Sequence, residues 1–117
     1  MAKGQYPAEF ELYVMSALAR LGDEAYGMTV RREIETRSGR GVSIGAVYAT
    51  LERLSLKGYV KFRVSDPRPV QGGRARKYAR LTPLGRRTLD EATEMLLRML
   101  PDGSLSTRPT PPPSRKT

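Results

Sequence analysis

Nine of the chain's basic residues fall between Tyr59 and Arg87: Lys61, Arg63, Arg68, Arg74, Arg76, Lys77, Arg80, Arg86 and Arg87, with Asp66 the one acid among them. That segment carries +8 of a formal net charge of +9, while the residues before it sum to +1 and those after it to zero. Cationic charge gathered in this way suits a polyanion, whose counterions are released as Lys and Arg neutralise its phosphates. The competing reading is a solvated basic loop. Concentration of the charge directly behind a helix-turn-helix pattern favours nucleic acid.

Histidine and cysteine are both absent, which removes imidazole and thiolate metal sites, the thiol nucleophile and the histidine general base. The acids lie mostly where basic residues sit one helical turn away. Glu33 and Glu35 surround Arg31, Arg32 and Arg37, and Asp90, Glu91 and Glu94 precede Arg98. Such spacing marks solvated helix faces rather than paired catalytic carboxylates. We expect no enzyme, no cofactor and no metal.

These cations must be positioned by a small fold. One hundred and seventeen residues, 38% of them hydrophobic, give one domain with a modest core, and small helical domains of this size often complete their cores by oligomerising. No apolar run is long enough to cross a bilayer and no leader pattern is present, so a reducing cytoplasm and no membrane partner are expected.

Helical periodicity opens the chain. Phe10, Val14, Ala17, Leu18 and Leu21 form one stripe over about Pro7 to Leu21, with Leu12 and Met15 off it, as for a second face against another subunit or a well-covered core helix. After Gly22-Asp23-Glu24, a second helix begins near Ala25 to Met28, with Tyr26, Val30 and Ile34 inward. Ser38-Gly39-Arg40-Gly41 reads as a turn. Ser43 is the expected N-cap of a third helix that buries Val47, Leu51 and Leu54 and stops at Lys57-Gly58. Its other face shows Gly45, Ala46, Tyr48, Ala49, Glu52 and Arg53, small enough for the backbone to sink into a major groove. A sparsely decorated surface helix is the alternative.

The period then changes to two. Val60, Phe62 and Val64 alternate with Tyr59, Lys61 and Arg63, predicting a strand with a core face. Asp66-Pro67-Arg68-Pro69 and Gln71-Gly72-Gly73 form a loop, and Arg76 to Leu81 returns as a second strand. Thr82-Pro83 caps a last helix, where Leu89, Ala92, Leu96 and Met99 draw a seam widened by Leu84, Leu97 and Leu100. Beyond Pro101 the Pro-rich composition predicts a disordered tail. The fold class expected is mainly α with a small antiparallel β-hairpin. Residues 1–82 make a winged helix-turn-helix, 83–100 a C-terminal dimerisation helix and 101–117 the tail.

The runs Tyr26-Gly27, Ser43-x-Gly45-x-x-Tyr48-x-x-Leu51-x-x-Leu54-x-x-x-Gly58 and Gly73-Arg74-x-Arg76-Lys77-Tyr78-x-x-Leu81-Thr82-x-x-Gly85 resemble the PadR-type transcriptional regulators, in particular the short subgroup with a single helix after the wing. The resemblance implies a homodimer whose third helices enter successive major grooves while the wings grip flanking backbone. It makes Ser43, Gly45 and Tyr48 the expected DNA-facing residues of the helix, with Thr50 and Arg53 added on helical geometry. It makes Gly73, Arg74, Arg76 and Lys77 the expected backbone contacts of the wing. Two departures stand out: Ala79 where the family often has a second aromatic, and the extended loop from Asp66 to Gln71.

The resulting expectation is a dimeric repressor of its own or a neighbouring operon, bound to a pseudo-palindromic site on double-stranded DNA. Phe10, Leu89, Ala92, Leu96 and Met99 are the expected dimer contacts. The resemblance also implies that some such regulators are released by phenolic or multidrug ligands held between subunits. Tyr6, Phe10, Tyr13 and Met99 are candidates to line such a pocket, against the plainer reading of dimer core, and control without an effector stays open. The rival functions are a winged-helix protein-interaction module and a structured-RNA binder.

Overall fold

The computed structural model describes residues 7–65 and 76–102. Three helices, α1 (Glu9–Leu21), α2 (Gly27–Ser38) and α3 (Ile44–Leu56), precede a hairpin of β1 (Val60–Val64) and β2 (Lys77–Leu81), and α4 (Pro83–Met99) closes the order. A single 3₁₀ turn, Gly22–Glu24, links α1 to α2.

Each helix begins where a side chain can satisfy the free amides of its first turn. Ser43 Oγ accepts from the Ala46 N–H at 3.0 Å, and Thr82 Oγ1 accepts from the Gly85 N–H at 3.0 Å with Pro83 in the first turn. On α1 the device is reversed: the Glu11 carboxylate accepts from the Ala8 N–H at 3.1 Å. On α2, Thr29 Oγ1 accepts from the Tyr26 N–H at 2.9 Å. Gly58, at φ +83°, turns the chain out of α3 in the left-handed conformation expected of a glycine at that place.

Val14, Met15, Ala17 and Leu18 of α1 meet Val30 and Ile34 of α2, Val47, Leu51 and Leu54 of α3, and Val60, Ala79 and Leu89 from the hairpin and α4. Met15 is fully buried. The off-stripe position on α1 is thus core within one chain and not a second face, and its burial contributes about 1.5–3 kcal/mol. Leu89 also belongs to this core, at 7% exposure. That corrects its place in an expected subunit seam: α4 starts on its own domain and uses Leu89 there.

β1 and β2 pair antiparallel, Val60 opposite Leu81, Phe62 opposite Ala79 and Val64 opposite Lys77. The expected core face fades along β1: Val60 is buried, Phe62 half-buried and Val64 62% exposed, because the ribbon leaves the helices as it runs outward. β2 is held on its other edge too. Tyr26 bridges to Tyr78, and the Ala79 N–H donates to the Ala25 carbonyl at 2.9 Å. Ala79 is 3% exposed; its small side chain lets β2 lie close to the segment entering α2. The departure from the family's aromatic is compatible with a well-packed wing.

Candidate nucleic-acid interface

α3 is set in place from both ends. Just before it, Arg31 Nε donates to the Val42 carbonyl at 2.9 Å and Glu35 Oε2 accepts from the Val42 N–H at 2.9 Å. The two side chains, 3.5 Å apart on successive turns of α2, thereby clamp the peptide that precedes the Ser43 cap. The Val42 N–H bond draws the Glu35 carboxyl below its ordinary value, helped by the Arg31 charge against partial desolvation. At the other end, Lys57 Nζ lies 3.1 Å from Glu11 of α1 and Arg53 Nε 3.6 Å from the same carboxylate. Burial pushes the Glu11 carboxyl up, but the Ala8 N–H, Lys57 and Arg53 outweigh it and hold the group below the usual carboxylate range.

With Val47, Leu51 and Leu54 inward, Ser43, Gly45, Ala46, Tyr48, Ala49 and Glu52 are left on the exposed side of α3. Gly45 faces open space: a Cβ there would meet nothing within 4 Å, so packing within the chain does not demand glycine. Tyr48 is 45% exposed, with its ring laid against Gly27 at the start of α2. A Cβ on Gly27 would overlap that ring. The pairing gives the Tyr26-Gly27 and Tyr48 elements of the motif a shared physical reason.

Two expected contacts are placed elsewhere. Thr50 is 1% exposed, on the core side of α3, which removes it from any surface that meets DNA. The helical arc counted from Gly45 to Arg53 passes through the buried face at Thr50, where the small polar side chain accepts from Arg53 Nη2 at 3.1 Å. Arg53 itself is half exposed but turned back toward Thr50 and Glu11, so its guanidinium braces α1 instead of standing clear of the helix.

On the hairpin, the cations lie over aromatic rings. The Arg76 guanidinium is 4.3 Å from the Tyr26 centroid, that of Arg63 4.6 Å from Tyr78, and Lys77 Nζ 4.1 Å from Phe62. Tyr26 and Tyr78 meet edge to face at 5.5 Å. A hydrogen bond with Tyr78 raises the Arg76 pKa further, and such stacking limits the side chain's freedom while leaving its charge exposed. Lys77 Nζ also reaches Glu52 of α3 at 3.1 Å. The pair joins the first residue of β2 to the exposed face of α3, while β1 is the strand that packs against that helix. Gly73 and Arg74 lie outside the described residues.

The remaining expected residues divide. Phe10 is half-buried against the core, edge-on to Tyr13 at 6.4 Å, and both line a cleft of about 300 Å³ with Ile34, Arg40, Val42, Ser43 and Ala46. Met99 is not part of that lining and stands 77% exposed on α4; the two ends of the expected pocket are not brought together within one chain. Tyr6 lies outside the described residues. Ala92 is half-buried, and Leu96, at 52% exposure, shares the far half of α4 with exposed Met95 and Leu97. The Arg31–Glu35 clamp and the Glu52–Lys77 pair were not singled out by the sequence. The first bonds a backbone group, for which no residue pattern speaks, and the second joins residues 25 apart.

A helix-turn-helix followed by a cationic hairpin defines the winged-helix class of regulators. Residues 14–91 match the sequence profile of the transcriptional regulator PadR-like family, and the chain belongs to that family. It is 42% identical over 69 residues to Transcriptional regulator Rv3488 of Mycobacterium tuberculosis, a match spanning 59% of this chain and 60% of that relative. Among solved structures it is similar to a PadR family transcription regulator from Clostridium difficile, with TM-score 0.68, 25% identity and coverage of 79% and 91% of the two chains. A PadR-like transcriptional regulator from Bacillus cereus shares the fold at TM-score 0.62 and 20% identity, over 76% and 82%. Members of this family are regulators of transcription and not enzymes. Among the described residues no helix is long and apolar enough to cross a membrane.

Proposed function

We propose that the protein is a homodimeric repressor that places α3 of each subunit in a major groove and sets its register with the wing. One observation carries this reading: a hairpin bearing Arg63, Arg76 and Lys77 lies on the same side as the exposed face of α3, close enough for Lys77 to reach Glu52. Gly45, Ala46 and Ala49 let the backbone approach base edges, while the hairpin cations meet phosphates on the flank. Ser43 and Tyr48 are the polar groups of α3 best placed to touch DNA. Gly73 and Arg74, outside the described residues, are assigned to the wing contact on the sequence motif alone.

The second subunit covers α4. Leu96 and Met99, with Met95 and Leu97, leave its C-terminal half apolar and exposed, a surface that a two-fold partner buries. Repression is steric, by occupation of a promoter. An effector acts by changing the separation of the two α3 helices, and a small molecule in the cleft beside Phe10 and Tyr13 would touch Ser43, the cap of α3.

The test is a protection footprint on the duplex upstream of the protein's own gene, with an RNA duplex of matched length as competitor. Two protected half-sites about one helical turn apart, on DNA and not displaced by RNA, are expected. Equal competition by RNA, or no protected site on any duplex, overturns the reading.

A further inference from the structure

Gly45, Tyr48, Ala49, Glu52 and Leu56 share one stripe of α3, at offsets of three, four, seven and eleven, and all are exposed. Glu52 is the one acid on that helix. Its carboxylate is 60% exposed and held by Lys77 Nζ at 3.1 Å, while the same ammonium rests 4.1 Å from the Phe62 ring centroid. An exposed ion pair of this kind adds little to folding. Yet it places a negative charge at the centre of the face that the proposed function turns toward a polyanion. Such a charge weakens binding unless it finds a hydrogen-bond donor on the nucleic acid.

The major groove presents few donors. Guanine offers N7 and O6 and thymine O4, all acceptors that repel a carboxylate, and adenine sets an acceptor N7 beside its amino group. Cytosine offers its N4 amine with no acceptor on its own edge, the O6 of its partner guanine lying on the far side of the pair. The small residues at 45 and 49 remove the bulk that would hold Glu52 away from the bases.

Resting on the proposed DNA reading, we infer that Glu52 is a specificity-determining residue that accepts a hydrogen bond from cytosine N4 once in each half-site. Lys77 is its resting partner and exchanges the carboxylate for a phosphate when the complex forms. The exchange is charge-balanced: one ion pair within the protein is replaced by one charge-assisted contact to the backbone and one neutral donor to the carboxylate. Glu52 thus selects a C·G pair at one position and discriminates against duplexes that lack it.

The experiment selects bound duplexes from a randomised library with the wild-type dimer, Glu52→Gln and Glu52→Ala. The wild type is expected to enrich a C·G pair that Glu52→Gln converts toward A·T, since an amide pairs with adenine N6 and N7, and that Glu52→Ala leaves degenerate. An unchanged motif in both variants overturns the inference and leaves DNA reading intact. No enriched motif with the wild type overturns the reading itself. A second arm varies only the DNA: replacing the selected cytosine by pyrimidin-2-one, which lacks the amine, is expected to weaken wild-type binding on the order of tenfold and Glu52→Ala binding far less. Equal weakening in the two proteins contradicts the assignment.

Discussion

The Tyr48 ring lies against Gly27 so closely that the glycine has no room for a Cβ. Tyr48 belongs to the exposed face of α3 and Gly27 to the first turn of α2, so this contact couples the direction of the tyrosine ring to the start of α2. Because the atoms in the way are the far end of a half-exposed side chain, Gly27→Ala is expected to turn the ring outward with a net stability change below about 1 kcal/mol, the displacement being offset by alanine's better helix propensity. Urea denaturation of the single and double variants checks this. Gly27→Ala should be more favourable in the Tyr48→Ala background than in the wild type, and additive effects would mean that the two residues are not coupled.

Tyr48 has a second expected role, in the complex. Tyr48→Ala should weaken binding to the selected operator by about 1–3 kcal/mol, measured by fluorescence anisotropy, while binding to unrelated duplex changes little. An equal effect on both duplexes would make its part structural.

Acid sensitivity should run through Glu11. Its folded carboxyl lies below the ordinary value near 4.5, so its stabilising contribution is present above that value and disappears as pH falls through the folded one. Because Lys57 and Arg53 are 34% and 54% exposed, solvent screens the pairs. Glu11→Gln is accordingly expected to cost about 1–2 kcal/mol at neutral pH, less than a fully buried pair would. Melting curves from pH 7 down to strongly acid conditions should show the two proteins converging. A constant gap across that range would assign the difference to packing alone.

Two leucines on α4 should behave oppositely. Leu96→Glu is expected to dissociate the proposed dimer and leave each chain folded, as read by sedimentation and circular dichroism, because Leu96 is half exposed within its own chain. Leu89→Ala should instead destabilise the chain by about 2–5 kcal/mol, since Leu89 fills the core. If Leu96→Glu leaves the oligomer unchanged, the seam lies elsewhere.

Much of this fold is written locally. Ser43, Gly58 and Thr82-Pro83 mark helix ends through interactions within a few residues of themselves, and the change of period at Val60 marks the strand, so sequence spacing carried them. Thr50 shows where that approach stops: counting along a helix names an arc, whereas only the packing of α1 against α3 decides which edge of it is closed. Leu89 is the same case on α4, a seam position taken up by the core of its own domain. Arg53 reads as an outward cation until Glu11, 42 positions earlier, is placed beside it. The side chains that hold α3 in position, Arg31 and Glu35, act on a backbone group and leave no residue pattern to read.

The most direct measurement is the salt dependence of operator affinity, plotted as log K against log salt concentration, for the wild type and for Arg76→Ala. Arg76 stacks on Tyr26 with its charge exposed, placed to meet a phosphate beside the groove that α3 is proposed to enter. A steep negative slope is expected for the wild type, and for Arg76→Ala one shallower by about one for each phosphate that the bound protein no longer neutralises. A wild-type affinity indifferent to salt, or a slope that Arg76→Ala leaves unchanged, would contradict a wing that grips the DNA backbone.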